Sequence, residues 1–327
     1  MPVQITIIGL GQIGASMGLA LAKHKNIVSV VGHDKEFAVE RAALKKGAVE
    51  AAEHNLPKAV KDARIVVLAL PVNQICETLE FIAPDLMDGT VVVDTAPIKS
   101  EVAKWAKDIL PKECYYLGLV PSIGPEFLTD TKTGQDSAKA DLFSKGIFLV
   151  SAPPGTPSEA LQLVSDIVKL LGATTLLTDI TESDGLMTSA YLLPKLVSAS
   201  LLNATVDQPG WKDVRKLAGR AYLAATSGLT PADDPDSLQM LSIQNRQNTV
   251  RSLDKMISSL SLLRDDIENE KDNDLRDQLQ AAQAGRETWA HERGIANWDE
   301  VQHEPNDYPS LNESFLGGLI GRRSKKK

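Results

Sequence analysis

The sequence predicts an α/β protein: a doubly wound, mostly parallel sheet followed by an all-α C-terminal domain. Three observations carry this. Short, continuously apolar runs alternate with helical patterns from Val3 to about Thr178, as buried parallel strands and their crossover helices do. A glycine-rich turn joins the first run to the first helix. Beyond Asp179 the strand-like runs stop and only helical periodicity continues.

The first run, Val3–Ile8, leads into Gly9-Leu10-Gly11-Gln12-Ile13-Gly14. Ile13, Met17 and Leu21 then fall at helical spacing. Strand, glycine turn and helix in this order form the dinucleotide-binding fingerprint of a Rossmann-type domain. The first glycine permits the tight turn, the second a close approach of backbone to pyrophosphate, and the third close packing of helix on strand. The helix start offers free N–H groups and positive dipole to the phosphates. Gly9, Leu10, Gly11, Gln12, Ile13 and Gly14 are therefore expected cofactor contacts.

A second signal follows. The run Ile27–Val31 ends in Gly32-His33-Asp34, and Asp34 lies 20 residues past Gly14. An acid there accepts both ribose hydroxyls and repels a 2′-phosphate, which favours NAD. His33 and Lys35 flank it and leave NADP open. The other expected strands are Arg64–Leu70, Thr90–Val93, Tyr115–Leu119, Ile147–Val150 and Thr174–Leu177. Helical patterns cover Phe37–Lys46, Val72–Phe81, Glu101–Ile109 and Ser158–Leu171. Ligands of such sheets sit outside the carboxyl ends of the strands. That points to Leu70-Pro71-Val72-Asn73, Asp94–Lys99 and Val120–Glu126, with Leu70, Pro71 and Thr95 as further cofactor contacts.

The dinucleotide domain is expected at 1–178 and a helical substrate or dimerisation domain at 179–295. An irregular arm with a basic tail is expected at 296–327. Ser183–Thr205 reads as a long apolar helix broken at Pro194, too apolar all round for a surface helix. Burial between two copies, a homodimer, is one solution. Val214–Ser227, Ser237–Ile267 and Leu275–Arg293 also read as helical, and Leu253, Met256, Ile257, Leu260, Leu263 and Ile267 form one apolar stripe.

Composition narrows the class. The 327 residues are 43% hydrophobic and 24% charged, with a formal net charge of −8, so no overall basic field recruits nucleic acid. The basic cluster Arg322–Lys327 is a solvated tail. Cys76 and Cys114 make neither a disulfide framework nor a metal-ligand set and are expected as small core residues. The sequence shows no leader before the first strand and no uninterrupted apolar run of membrane-span length. A cytoplasmic protein with no metal, no membrane and a small-molecule substrate is expected.

The order of parts resembles the prephenate and arogenate dehydrogenase family. The resemblance is carried by IIGLGQIGASMGLAL, VVGHDK, the strand ending ALPV, VVVDTAPIKSEV, a Gly-Pro-Glu after the fifth strand, and an apolar helix with an internal Leu-Pro. It implies oxidative decarboxylation of prephenate or arogenate with NAD(P), on the route to tyrosine. Lys99 falls in the motif the family writes Asp-x-Gly-Ser-x-Lys, here DTAPIK. The substrate end departs from the pattern. The family's His-Pro-Met-Ala-Gly is Val120-Pro121-Ser122-Ile123-Gly124, and its His-Asp is Ser183-Asp184. Its Ser-His-Leu-Pro-His is Tyr191-Leu192-Leu193-Pro194-Lys195, and its carboxylate-binding arginine falls near Ala225.

Removing a hydride from a carbinol requires a group to accept the hydroxyl proton, which Val120 cannot do. Lys195, in a helix otherwise apolar from Leu192 to Leu202, is the first replacement, because a desolvated lysine can act as a base. Alternatively it reaches solvent or pairs with Asp184 or another acid. Ser122 can position a substrate oxygen. Lys99, Gly124, Tyr191 and Arg220 are further substrate-binding candidates, with Arg246 and Arg251 as other cations. Asp184 serves as a helix cap. Two function classes remain: an NAD(P)-dependent oxidoreductase acting on a small acidic substrate, with a hydroxyacid-type variant using Lys195, or a non-catalytic dinucleotide-binding sensor.

Overall fold

A computed structural model of the protein describes residues 2–130, 132, 134–296 and 298. The expected basic tail lies outside these residues, as does all of the expected arm except Ala296 and Trp298. The chain forms two units: Met1–Ile180 together with the described chain from Thr288 onward, and Thr181–Glu287. The helical unit therefore ends before the expected 295, because the last turns of the final helix group with the first unit.

The first unit is built on an eight-stranded sheet, in the order β3-β2-β1-β4-β5-β6-β7-β8. The strands are β1 (Val3–Ile8), β2 (Val28–His33), β3 (Ala51–Ala52), β4 (Ile65–Leu68), β5 (Val91–Asp94), β6 (Tyr115–Pro121), β7 (Ile147–Ser151) and β8 (Thr174–Thr178). Every neighbouring pair is parallel except β6–β7. The helices are α1 (Gln12–Leu21), α2 (Phe37–Lys46), α3 (Leu56–Val60), α4 (Val72–Ile82), α5 (Ser100–Ile109) and α6 (Ser158–Leu170). Ile5, Ile7, Val67, Val93, Leu117 and Phe148 form the buried centre, so the continuous apolar runs are strands covered on both faces.

Two small elements escape the hydrophobic pattern. β3 has only two residues, too few for any periodicity. α3 is a single turn, started by the Asn55 side chain accepting from the Lys58 N–H, with Pro57 in its first turn. β4 is also shorter than expected: Ala69 and Leu70 leave the sheet at its carboxyl end.

β1 lies between β2 and β4, so the chain departs from it in opposite directions and opens a crevice at their carboxyl ends. Gly9 stands there with φ +91°, and a Cβ on it would lie 2.4 Å from the Ala69 carbonyl oxygen. A Cβ on Gly14 would lie 1.9 Å from the Gly9 carbonyl oxygen, and one on Gly18 2.1 Å from that of Ala48. Backbone meets backbone at all three contacts, so α1 sits flush on its neighbours.

The second unit is helical: α7 (Ile180–Met187), α8 (Leu193–Thr205), α9 (Trp211–Leu217), α10 (Arg220–Thr226), α11 (Pro235–Gln244), α12 (Arg246–Glu268) and α13 (Asp272–Ile295), whose end lies in the first unit. Pro194 does not break the long apolar helix. A wide π turn, Thr188–Leu192, joins α7 to α8, and the segment Ile180–Thr205 stays helical throughout. Proline lacks an N–H and its ring crowds the carbonyl four residues back, and the wider turn absorbs both defects. By length and composition alone this segment is long and apolar enough to cross a membrane, and only 17% of its most apolar window is buried within the chain. The expected Val214–Ser227 helix is two short helices, parted at Ala218-Gly219, and Ser237–Ile267 is divided at Asn245.

Beneath the end of β5 lies a closed polar network. Asp94 Oδ1 accepts from Lys99 Nζ at 2.7 Å and from the Ala96 N–H at 2.9 Å. Its Oδ2 accepts from the Tyr116 hydroxyl at 2.7 Å, and Lys99 Nζ also donates to the Asp94 carbonyl at 2.9 Å. Both charged side chains are fully buried. A Cβ on Gly118 would come within 2.5 Å of Lys99 Cδ, so that glycine makes room for the lysine stem. This corrects the expectation that Lys99 contacts substrate: its ammonium is sealed inside the strand-end turn and shapes it from below. Lys99→Met strands a buried carboxylate, so it should lower unfolding free energy by about 3–5 kcal/mol in a urea titration. A loss under about 1 kcal/mol would show that the pair does not hold the turn.

Candidate functional site

The cofactor end of the site is built from backbone. Gly11 precedes α1 and no side chain caps the helix, so its first N–H groups are left for a ligand. A Cβ on Gly11 would meet no protein atom within 4 Å, whereas Gly9 and Gly14 have no room for one. Asp34 ties this turn to the end of β2: its Oδ2 accepts from the Leu10 N–H at 2.8 Å and its Oδ1 from the Glu36 N–H at 3.0 Å. A carboxylate offers about four acceptor sites, so two remain for a vicinal diol. The Thr95 N–H donates to the Leu68 carbonyl at 3.0 Å, holding the loop after β5 beside that after β4, where Leu70 is partly and Pro71 fully exposed. Gln12 differs from a phosphate ligand: its Nε2 donates to the Lys132 carbonyl at 3.4 Å. The bare helix start, the uncrowded Gly11 and the half-satisfied Asp34 together fit a dinucleotide.

Behind Asp34 sits Glu40, 4% exposed, which no motif in the sequence singles out. With His33 and His54 it brings ligating atoms within 4.8 Å of one another, a set of the kind that can hold a metal ion. The imidazoles are already engaged in hydrogen bonding: His33 Nδ1 lies 3.1 Å from the Glu53 carbonyl and His54 Nδ1 lies 3.2 Å from Glu40 Oε2.

The loop after β6 carries Ser122 and Gly124. Val120, where the resembling family has histidine, is buried in the strand. Ser122 Oγ accepts from Arg293 Nη2 at 2.8 Å, and the same nitrogen donates to the Ile123 carbonyl. Gly124 is no substrate contact here. It is buried, its N–H donates to the Leu142 carbonyl at 2.7 Å, and a Cβ on it would lie 2.3 Å from the Ser144 carbonyl oxygen. Arg293 was not foreseen. Trp298 stacks on its guanidinium at 5.6 Å, and burial pulls the guanidinium pKa down. Its buried Nη1 has no hydrogen-bond partner among the described residues. Nothing near position 293 in the sequence announces a partner 171 residues away.

In the helical unit, Lys195 is not the lone desolvated amine that its apolar helix suggests. Its Nζ donates to Asp233 Oδ1 at 2.6 Å and to the Gly228 carbonyl at 3.2 Å, and lies 4.9 Å from the centre of the Tyr191 ring. Gly228 allows the approach, since a Cβ there would meet Ser198 Oγ at 2.5 Å and the Pro194 carbonyl oxygen at 2.9 Å. Burial alone would raise the Asp233 carboxyl pKa. Hydrogen bonds from Lys195 and from the Thr230 N–H and hydroxyl outweigh it and hold the group below the usual carboxylate range. Burial, then the Asp233 charge, pushes the Tyr191 phenol up.

The other candidates of this unit stand apart from that pair. Ser183 is fully buried, with no partner for its hydroxyl among the described residues. Asp184 is 3% exposed inside α7 rather than a helix cap. Arg220, Arg246 and Arg251 are exposed. Cys76 and Cys114 are half-buried rather than core residues. Burial raises both thiols, Cys114 to about 11, so neither is an activated nucleophile.

Comparison with known proteins agrees with this division of the chain. Residues 17–177 match the prephenate dehydrogenase nucleotide-binding domain and residues 180–281 the prephenate dehydrogenase dimerization domain. Prephenate dehydrogenase of Bacillus subtilis is 25% identical over 268 residues, covering 81% of this chain and 70% of that protein. Cyclohexadienyl dehydrogenase of Zymomonas mobilis is 26% identical over 286 residues, covering 86% and 94%. The fold is shared with prephenate dehydrogenase of Aquifex aeolicus, solved with hydroxyphenyl propionate and NAD+: TM-score 0.78, 19% identity, 88% of this chain and 98% of that one. With both of its domains matched in order, the chain belongs to the prephenate dehydrogenase family of NAD(P)-dependent oxidoreductases.

Proposed function

We propose that this chain oxidises a small carboxylated substrate of the prephenate or arogenate class, with NAD as cofactor, in tyrosine biosynthesis. The observation that carries the reading is the switch-point turn: Gly9, Gly11 and Gly14 with Asp34 bonded to the Leu10 N–H, in a chain that both family domains match. When bound, the cofactor supplies a hydride acceptor. The start of α1 holds its phosphates and Asp34 its ribose.

Each unit carries a fixed cation that a substrate carboxylate can meet. An ammonium has three donors, and Asp233 and Gly228 take two of those of Lys195, leaving one for a carboxylate. In the first unit, Arg293 offers a charged donor through Nη1, which has no partner among the described residues. Because Ser122 Oγ accepts from Arg293, its own O–H is turned elsewhere and orients a substrate oxygen. Lys195 is thus read as an anchor before a base.

A second reading has its own support. Val120 and the buried Ser183 stand where the resembling family has histidines, and neither takes up a proton at neutral pH. On that reading the chain binds a dinucleotide without turning it over, as a sensor.

The helical unit leaves apolar side chains uncovered: Ile243, Val250, Ile257, Leu260 and Ile267 are each at least half exposed, and so is Leu279. Of the expected α12 stripe, Ile257, Leu260 and Ile267 face outward in the single chain, whereas Leu253, Met256 and Leu263 are half-buried. Together with the sparsely buried segment Ile180–Thr205, this supports a homodimer formed through the helical unit. Sedimentation at micromolar concentration should give twice the 35.3 kDa chain mass, and a stable monomer would overturn the assignment.

Turnover separates the two functional readings. NADH formation is expected with prephenate or arogenate in a panel that includes 2- and 3-hydroxy acids; cofactor binding without turnover of any would support the sensor. Lys195→Ala should lower kcat/KM about tenfold or more through KM, as loss of an anchor does. A loss confined to kcat would assign Lys195 to proton transfer instead. Arg293→Gln should likewise raise KM, and an unchanged KM would remove it from the substrate site.

A further inference from the structure

The buried carboxylate of Glu40 stands one layer behind the ribose-binding acid. Its Oε1 accepts from the Asp34 backbone N–H at 3.1 Å and lies 3.7 Å from His33 Nδ1. Its Oε2 faces His54 Nδ1 at 3.2 Å, and the Phe37 ring stacks on that imidazole at 3.6 Å. The His33 side chain, 12% exposed, is turned inward, with Nδ1 also 3.1 Å from the Glu53 carbonyl. One carboxylate therefore does three things at the end of β2. It fixes the Asp34 backbone, holds the His54 imidazole, and adds a second negative charge behind the first.

A 2′-phosphate placed against Asp34 would bring further negative charge into a turn where His54 is hydrogen-bonded to Glu40 and His33 to the Glu53 carbonyl. Lys35 is exposed. Discrimination between NAD and NADP needs a repulsive element as well as an attractive one. We infer that Glu40 is a positioning residue for cofactor selectivity: by holding the Asp34 backbone and the His54 imidazole and adding its own charge behind Asp34, it makes the ribose end reject a 2′-phosphate. This rests on the dinucleotide reading of the glycine turn.

The test is a titration of NADH and NADPH by fluorescence, with ADP-ribose and its 2′-phosphate as calorimetric probes that lack the nicotinamide. Wild-type protein should bind NADH more tightly than NADPH. Glu40→Gln keeps an oxygen for the Asp34 N–H but removes the charge. It should shift the Kd ratio toward NADPH by about fivefold or more, and that of the two ADP-ribose probes in parallel. A merely structural role would weaken both nucleotides together and leave the ratio unchanged, and that result would overturn the inference. Glu40→Asp, which keeps the charge, should retain the wild-type ratio. Should Glu40→Gln not fold, His33→Gln decides independently. It should leave the NADPH Kd within about twofold, whereas a loss of about fivefold or more would show the imidazole already contacting the 2′-phosphate. Failure of the wild-type protein to bind either nucleotide would instead overturn the dinucleotide reading itself.

Discussion

Backbone meeting backbone at the start of the chain is the constraint on which the rest depends. Any side chain at Gly9 would strike the Ala69 carbonyl, and any at Gly14 would strike that of Gly9. With those contacts closed, β1, α1 and the end of β4 form one rigid corner, and the strand order reverses at that corner. The ligand surface there is peptide rather than side chain. It consists of N–H groups that helix geometry leaves without partners and a dipole that favours anions. Asp34 extends the corner to β2 through one hydrogen bond to Leu10.

Around this corner, buried charges come in satisfied sets. Asp94 is neutralised by Lys99 and bonded by Tyr116, so the turn leading into α5 has one shape. Glu40 takes an amide and an imidazole. In the helical unit, Asp233 is fixed by the Thr230 turn and in turn fixes Lys195. An unpaired charge in any of these places would carry the full desolvation cost, so each network sets geometry more than it adds net stability. Arg293 is the partial exception: one guanidinium nitrogen bonds Ser122 and Ile123 while a buried one has no partner among the described residues. Such groups are uncommon in folded proteins and mark places where a ligand group can complete the set.

The cofactor end was legible in sequence because its signals are local. A strand of six residues, three glycines at fixed offsets and an acid at the end of the next strand all report on neighbours in the chain. Phe37–Lys46 was legible to the residue for the same reason, its end marked by Gly47 at φ +74°. The substrate end was not. Lys195 finds Asp233 across 38 residues, and Ser122 finds Arg293 across 171. No periodicity encodes such pairs. Lys99 misled for a related reason: a lysine after a strand end resembles a ligand contact, and only burial shows that it points into the protein.

The sequence by itself determined the parallel sheet, the glycine corner, the acid at the end of β2 and the switch to helices after Asp179, because each follows from spacing along the chain. Tertiary structure alone decided which charges are free. It turned Lys99 inward, paired Lys195, brought Arg293 onto Ser122 and placed Glu40 behind Asp34. It also showed that the apolar helical face stays largely uncovered in a single chain. The physical reason is that local pattern sets the conformation of a segment, whereas the protonation, burial and partners of a side chain depend on segments that meet only when the chain closes on itself.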